Sequence, residues 1–304
     1  MGHREGNRRG NNNFWNNKSG GGHRQGGGGS GAGKRNNAAS ADSPLAQCFL
    51  EYASELDDKH DRYERILKCS RDITIESKRI IFLLHTVDAK KDNKERVCVE
   101  AFRRLKSLCD NNFLIIAKEL DGRDPYQYSR AYTAGLQEFI EAYTFYEYVF
   151  SKTFSHWKSI QKELCFKVRS NEENSDAVES DLSDEKELAC LLSPLDYILG
   201  IGDLTGEVMR KSINSLGSGD INSCFEHCRF LQMLYKGFVS LSNVRSRDFS
   251  QKLHTLQQSM LKIEAVCYNV KVRGGEATKL GITDSASFGA ILKNNVEDDE
   301  GVFF

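Results

Sequence analysis

Residues 131–151 read Ala131-Tyr-Thr-Ala-Gly-Leu-Gln-Glu-Phe-Ile-Glu-Ala-Tyr-Thr-Phe-Tyr-Glu-Tyr-Val-Phe-Ser151, and this stretch decides the fold. It contains no lysine, arginine or proline, and its aromatic and aliphatic side chains fall on nearly every side of a 3.6-residue helix. A helix that is apolar all round is one that other helices enclose. The sequence therefore predicts a buried helix over about 126–151, entered through the break Asp121-Gly-Arg-Asp-Pro125.

Working outward, the rest of the chain supplies the enclosing helices. Pro44, Pro125 and Pro194 are the only prolines, so the long intervals between them are free to be helical. Ser43-Pro44 suits a helix start. Phe49, Tyr52, Leu56, Tyr63, Ile66, Leu67, Ile73, Ile80, Ile81 and Leu84 then form a stripe reaching about residue 89. Forty-odd residues is long for a globular helix, so this one is expected to lie along a bundle or a partner subunit. Further helices are expected over about 93–121, 155–167, 194–217, 220–242 and 246–272, the last ended by Gly274-Gly275. No convincing strand alternation is visible. The expected fold is all-α, an antiparallel bundle of about seven helices with a long first helix.

Two segments depart from this pattern. Residues 1–43 hold 12 of the 25 glycines, eight asparagines, and seven Lys/Arg against two acids, a net +5. Such a segment buries too little apolar surface to order itself and reads as a disordered arm. Phe14, Trp15 and its arginines allow weak RNA attraction, and Arg8-Arg9 with Lys34-Arg35 could form a split nuclear-import signal; a plain solvated tail is the alternative. Residues 171–188 carry eight acids and one lysine and read as a solvated loop. The helical domain is placed at 44–275 and a loosely ordered tail at 276–304.

Composition narrows the function classes. The net charge of −1 excludes a generic polycation, so any nucleic-acid surface has to be local. No apolar run reaches the length of a membrane span, and the opening 30 residues lack the apolar core of a secretory leader. Nine cysteines, scattered mostly through helical patterns, suggest buried thiols in a reducing compartment. Cys224, His227 and Cys228 cluster but lack a second Cys/His pair for zinc, so thiols packed on a helix are the simpler reading.

The chemistry is carried by acids. Glu138 and Glu141 share a face of the apolar helix with no cation four residues away, and a divalent cation would relieve both their repulsion and their burial. Glu147 is a third acid here, able to reach solvent at the helix end. Asp203 and Glu207 repeat the pattern in Gly200-Ile-Gly-Asp-Leu-Thr-Gly-Glu-Val-Met-Arg210, where Gly200, Gly202 and Gly206 suggest close approach of a helix or a substrate backbone. Arg210 could instead pair with Glu207. Four carboxylates without His or Cys suit Mg²⁺, with Mn²⁺ as a substitute, and disfavour Zn²⁺. Such sites usually perform phosphoryl transfer; a structural metal or a buried hydrogen-bonded network is the alternative. A di-iron bundle expects Glu-x-x-His elements that are missing here. For a nucleic-acid grip, Arg71 and Lys78 lie seven apart on one helix face with Arg79 beside them, unless they pair with Asp72, Glu76 and other acids.

These motifs resemble the translin family. The carriers are Ser70-Arg-Asp-Ile-Thr-Ile-Glu-Ser-Lys-Arg79 with Leu83-Leu-His85, Gly135-Leu-Gln-Glu-Phe-Ile-Glu-Ala142, Pro194-Leu-Asp-Tyr-Ile-Leu-Gly200, Asp203-Leu-Thr-Gly-Glu207 and Ala265-Val-Cys-Tyr-Asn-Val-Lys-Val-Arg-Gly274. They occur in order over roughly 50–275. The resemblance implies a seven-helix fold and assembly with translin into a hollow hetero-octamer. It further implies a Mg²⁺-dependent endoribonuclease site on this subunit, at Glu138, Glu141, Asp203 and Glu207. It links the complex to passenger-strand removal in RNA silencing and to transfer-RNA fragments, in cytoplasm and nucleus. The competing expectation is a non-catalytic partner that stabilises translin and modulates its binding of single-stranded DNA or RNA.

Overall fold

The computed structural model describes residues 43–88, 91–169, 185–217, 220–241 and 243–279. The expected arm (but for Ser43), most of the acidic loop and nearly all of the tail lie outside them. Among the described residues there are eight α-helical segments: α1 (Pro44–His85), α2 (Lys94–Ser107), α3 (Leu114–Glu119), α4 (Pro125–Ser151), α5 (Trp157–Glu163), α6 (Pro194–Gly217), α7 (Ile221–Ser240) and α8 (Arg247–Lys279). A π-helical stretch, Leu108–Phe113, joins α2 to α3, so 94–119 is one rod with a widened middle. Counting it once leaves seven helices and the expected all-α bundle.

Two compact units divide the chain at Tyr52, within α1. In the first, the described residues are the opening of α1, where Leu45, Phe49, Leu50 and Tyr52 are exposed. The second, from Ala53 on, contains the core and everything discussed below.

The apolar stretch behaves as its composition requires. Asp124 caps α4 by accepting the Tyr126 N–H at 3.0 Å, with Pro125 in the first turn. Phe139, Ile140, Ala142, Phe145 and Tyr148 are buried in one core with Ile66, Ile73 and Ile80 of α1 and Leu204 and Val208 of α6. Burying a side chain of this size contributes roughly 1.5–3 kcal/mol. Two glycines set the helix spacing. A Cβ on Gly135 would lie 2.5 Å from the Ser70 carbonyl oxygen, which locks α4 against α1. A Cβ on Gly200 would lie 2.7 Å from an Ile140 methyl, which does the same for α4 and α6.

Three local expectations are corrected. The segment expected as helix to 167 ends at Glu163, and Cys165–Arg169 is a strand, β1, paired antiparallel with β2, Glu185–Ala189. The pairing sets Lys167 opposite Glu187 and Val168 opposite Lys186, so opposite charges meet across the ribbon at Lys167 and Glu187. Only Leu188 of β2 is buried, which is why no two-residue period showed in the sequence. Second, α8 passes Gly274-Gly275 and ends at Lys279; a glycine weakens a helix by only about 1 kcal/mol and does not by itself end one. Third, Cys165 is exposed on β1, whereas Cys98, Cys109, Cys190, Cys224, Cys228 and Cys267 are buried thiols.

Candidate active site

The four acids come together. Glu138 and Glu141 from α4 and Asp203 and Glu207 from α6 line one cavity of about 550 Å³, joined by Lys78, Ile81, Phe82 and His85 of α1, Arg210 of α6 and Lys252 of α8. The i, i+3 spacing on α4 and the i, i+4 spacing on α6 turn each pair to one face, and the contact at Gly200 brings the two faces together.

The acids are not unpaired, as their own helices suggested. Lys78 Nζ lies 3.2 Å from Glu138 Oε1. His85 Nε2 lies 2.5 Å from Glu207 Oε2, and Arg210 reaches the other Glu207 oxygen at 3.6 Å. The Lys252 ammonium contacts Asp203 Oδ1. The i±4 rule covers one helix only, whereas Lys78, His85 and Lys252 arrive from α1 and α8. Among the described residues, no group of three or more His, Cys, Asp or Glu is disposed as a ready metal cage.

Glu141 differs from the other three. It is 8% exposed, and its carboxyl has no hydrogen-bond or ion-pair partner among the described residues. Burial, followed by the nearby charges of Asp203, Glu138 and Glu207, pushes its pKa up to about 9, so it holds a proton at neutral pH. Burial would also raise Glu207, but the His85 hydrogen bond and the Arg210 charge outweigh it and hold that carboxyl below its ordinary value. An all-oxygen donor set around a buried, partnerless carboxyl suits a hard divalent cation. Lys78 and Lys252 hold two of the outer carboxylates.

The glycines divide by role. The Lys252 stem fills the space beside Gly202, with its Cβ 3.0 Å from where a glycine Cβ would be. Beside Gly206 nothing lies within 4 Å, and the residue lines the cavity. Gly206 therefore leaves open room at the acids rather than admitting a helix.

Of the three basic residues proposed for nucleic acid, Lys78 and Arg79 line one groove together with Arg104, and Arg71 stands apart from it. Lys78 is at the rim of the acidic cavity, paired with Glu138. Arg79 bonds Glu76 at 3.3 Å and lines a separate groove with Arg103 and Arg104. Arg71 is exposed and has no ion pair among the described residues. Sequence reasoning missed His85 and Lys252 as site residues. The spacing of Lys78, Ile81 and His85 along one face of α1 could have pointed to His85; nothing local marks Lys252, 49 residues beyond Asp203. The Cys224 cluster is a packed thiol pair, with Cys224 Sγ 3.6 Å from Cys267 Sγ and His227 bonded to Tyr148.

A helical bundle in which α4 and α6 each present two acids to a shared cavity defines the class. Residues 61–274 match the Translin family, and the chain belongs to it. Within that family it is similar to Translin-associated protein X of Rattus norvegicus, 40% identical over 264 residues covering 86% of this chain and 89% of the rat protein. The homolog of that protein in Schizosaccharomyces pombe is 26% identical over 77% of this chain and 91% of its own length. Translin of Homo sapiens is similar over a shorter stretch, 30% identical over 79 residues, 26% of this chain and 34% of translin. Among solved structures, apo-NeC3PO superposes with a TM-score of 0.54 at 19% identity, covering 75% of this chain and 98% of that one. AfC3PO, in a complex with duplex RNA, superposes with a TM-score of 0.50 at 15% identity, covering 74% and 97%. At these identities the two structures show the shared fold.

Proposed function

We propose that this chain is the Mg²⁺-dependent endoribonuclease subunit of a complex with translin, with Glu138, Glu141, Asp203 and Glu207 holding the metal. The observation that carries the reading is Glu141, a carboxyl kept protonated by its burial and then by three neighbouring carboxylates, in a cavity with open space beside Gly206. A cation bound there would activate water and neutralise charge on a phosphodiester. The chain's own residues do the rest. His85 orients Glu207 through a 2.5 Å hydrogen bond, and Lys78 and Lys252 pair with Glu138 and Asp203, so a metal held by these carboxylates would have to replace both ammoniums. Lys78 at the cavity rim would then be free to meet a phosphate. The translin partnership is supported by the family and by the name of the rat relative, and RNA as substrate by the AfC3PO complex with duplex RNA. The same reading assigns the complex to passenger-strand removal and transfer-RNA fragment processing, in cytoplasm and nucleus.

The test is cleavage of single-stranded RNA by the full chain co-purified with translin, with Mg²⁺ and with Mn²⁺. Glu141→Ala and Asp203→Ala should each abolish cleavage and leave assembly intact; undiminished cleavage in either would refute the site. The ion pairs of Lys78, Lys252 and His85 favour a second reading, in which the acids form a fixed internal network and the chain is a non-catalytic partner of translin. That reading expects no metal-dependent cleavage by the wild-type complex at all.

A further inference from the structure

A second cavity, of about 280 Å³, adjoins the acidic one and shares His85 as a wall. Its lining is of a different character. Lys94 of α2, Lys152 at the end of α4 and Lys211 of α6 converge on it, together with His227 of α7. Two of these ammoniums rest on backbone carbonyls instead of carboxylates: Lys94 Nζ donates to the Phe150 oxygen at 3.1 Å and Lys211 Nζ to the Val87 oxygen at 3.5 Å. Lys152 lies 3.9 Å from the exposed Glu226 and 5.0 Å above the Tyr148 ring. Asp88 and Asp220 also line the cavity and offset two of the three positive charges, leaving the lining one positive charge in excess.

Two further observations point to a ligand. Lys152 occupies a left-handed conformation, φ 63°, at the C-cap of α4, a position that favours glycine. The left-handed backbone there carries the Lys152 stem towards the cavity that its side chain lines. His227 is 1% exposed, and its Nδ1 is 2.6 Å from the Tyr148 hydroxyl. In the tautomer in which the Tyr148 O–H donates to Nδ1, the ring proton sits on Nε2. Burial, then the charges of Lys152 and Lys211, hold His227 well below its ordinary pKa, at about 3, so the ring is neutral. Its Nε2–H, a donor without a partner among the described residues, belongs to a ring lining the cavity. Burial and the neighbouring lysines likewise hold Lys152 and Lys211 below their usual pKa, as expected of cations awaiting an anion.

We propose that this cavity binds a phosphate group of a nucleic-acid strand, through the ammoniums of Lys94, Lys152 and Lys211 and the Nε2–H of His227. Charge-assisted donors converging on a small space suit the several acceptor oxygens of a phosphate. The shared His85 wall puts this phosphate next to the acids, so that it registers the strand across them. That the phosphate comes from nucleic acid rests on the nuclease reading; the affinity for phosphate does not.

The experiment uses the full chain co-purified with translin, in EDTA throughout, so that neither metal nor cleavage enters the readout. Inorganic phosphate is compared with chloride at equal ionic strength by thermal melting, in wild type and in Lys152→Gly with Lys211→Gln. Lys152→Gly supplies the residue the backbone prefers, so in chloride that single variant should melt no lower than wild type. Phosphate should raise the wild-type Tm by several degrees and the double variant's by none. A short RNA with a 5′-phosphate and the same RNA with a 5′-hydroxyl separate the two sources by fluorescence anisotropy. A seat for a terminal phosphate gives a wild-type preference of about tenfold for the phosphorylated strand, lost in the double variant. A seat for an internal phosphodiester gives an equal weakening of both strands, again about tenfold. Equal melting of wild type in phosphate and chloride, or full retention of the phosphate shift and both affinities in the double variant, overturns the proposal. The cleavage result for Glu141→Ala bears on neither outcome.

Discussion

Replacing Glu141 by glutamine should stabilise the metal-free protein at alkaline pH and do almost nothing at pH 5. Glu141 sits 8% exposed among three other carboxylates, and its pKa stands at about 9 in the folded chain. An unfolded glutamate titrates near 4.3. The folded state thus holds this proton more tightly than the unfolded state does, and the stability linked to it is complete below about pH 4. It is lost as pH rises from there towards 9. At about 1.4 kcal/mol per pH unit, the loss by pH 8 is on the order of 5 kcal/mol as an upper bound. Glutamine keeps the shape and never charges, and its amide can donate to the neighbouring carboxylates. Even a third of the bound would raise Tm by roughly 4 °C for a domain of this size. The assay is thermal melting of the co-purified complex in EDTA from pH 5 to pH 9, wild type against Glu141→Gln. The two curves should lie nearest each other at pH 5 and separate progressively from there to pH 9, with the variant higher. Adding Mg²⁺ at pH 8 should raise the wild type towards the variant and leave the variant nearly unmoved. Parallel curves across the whole range would refute the claim that the buried proton governs this site. A Mg²⁺ response equal in both proteins would separate the metal from Glu141.

Other expectations follow from the packing. Gly135→Ala puts a methyl 2.5 Å from the Ser70 carbonyl, so α1 and α4 must part, and Tm in the complex should fall by an amount corresponding to roughly 1–3 kcal/mol. Gly206→Leu, placed where nothing lies within 4 Å, should leave Tm unchanged or higher while RNA cleavage drops at least tenfold, because the side chain fills the cavity at the acids; unchanged cleavage would remove that cavity from the substrate's path. Alanine at Arg71, Lys78 and Arg79 together should weaken RNA binding and flatten its dependence on salt; identical slopes in a salt series would show that these side chains meet no phosphate. Leu56, Ile75 and Phe82 on α1 and Val99 and Phe102 on α2 are large apolar side chains left exposed in the single chain. Expressed alone, the chain should therefore be poorly soluble and co-expression with translin should rescue it, whereas a well-behaved monomer with a sharp melting transition would count against the partnership.

What was legible in the sequence divides along a physical line. Helix identity is a local property, and a stripe such as Ile66, Ile73 and Ile80 states its period within one segment, so the bundle could be read without contacts. The pairing of Glu138 with Glu141 and of Asp203 with Glu207 is equally local, because one helix carries each pair. The β1–β2 ribbon escaped notice because a strand with one buried residue has no period, and its opposite charges match only across the pairing. The state of the acids escaped for a related reason. A helix devoid of lysine and arginine implies carboxylates without partners only if partners must come from the same helix. Lys78 reaches Glu138 from 60 residues earlier in the chain, and Lys252 reaches Asp203 from 49 residues later. Their arrival turns four bare acids into three paired ones around a single partnerless one. That changes what a cation has to do. It must take the place of two ammoniums and a proton, so the interior of this site is already electrostatically occupied before any metal comes. If these residues bind the proposed metal, binding would release a proton from Glu141 and free Lys78 at the rim of the cavity. Metal affinity should then rise with pH, and the lysine that holds Glu138 in the metal-free chain would become available to a phosphate only in the loaded one.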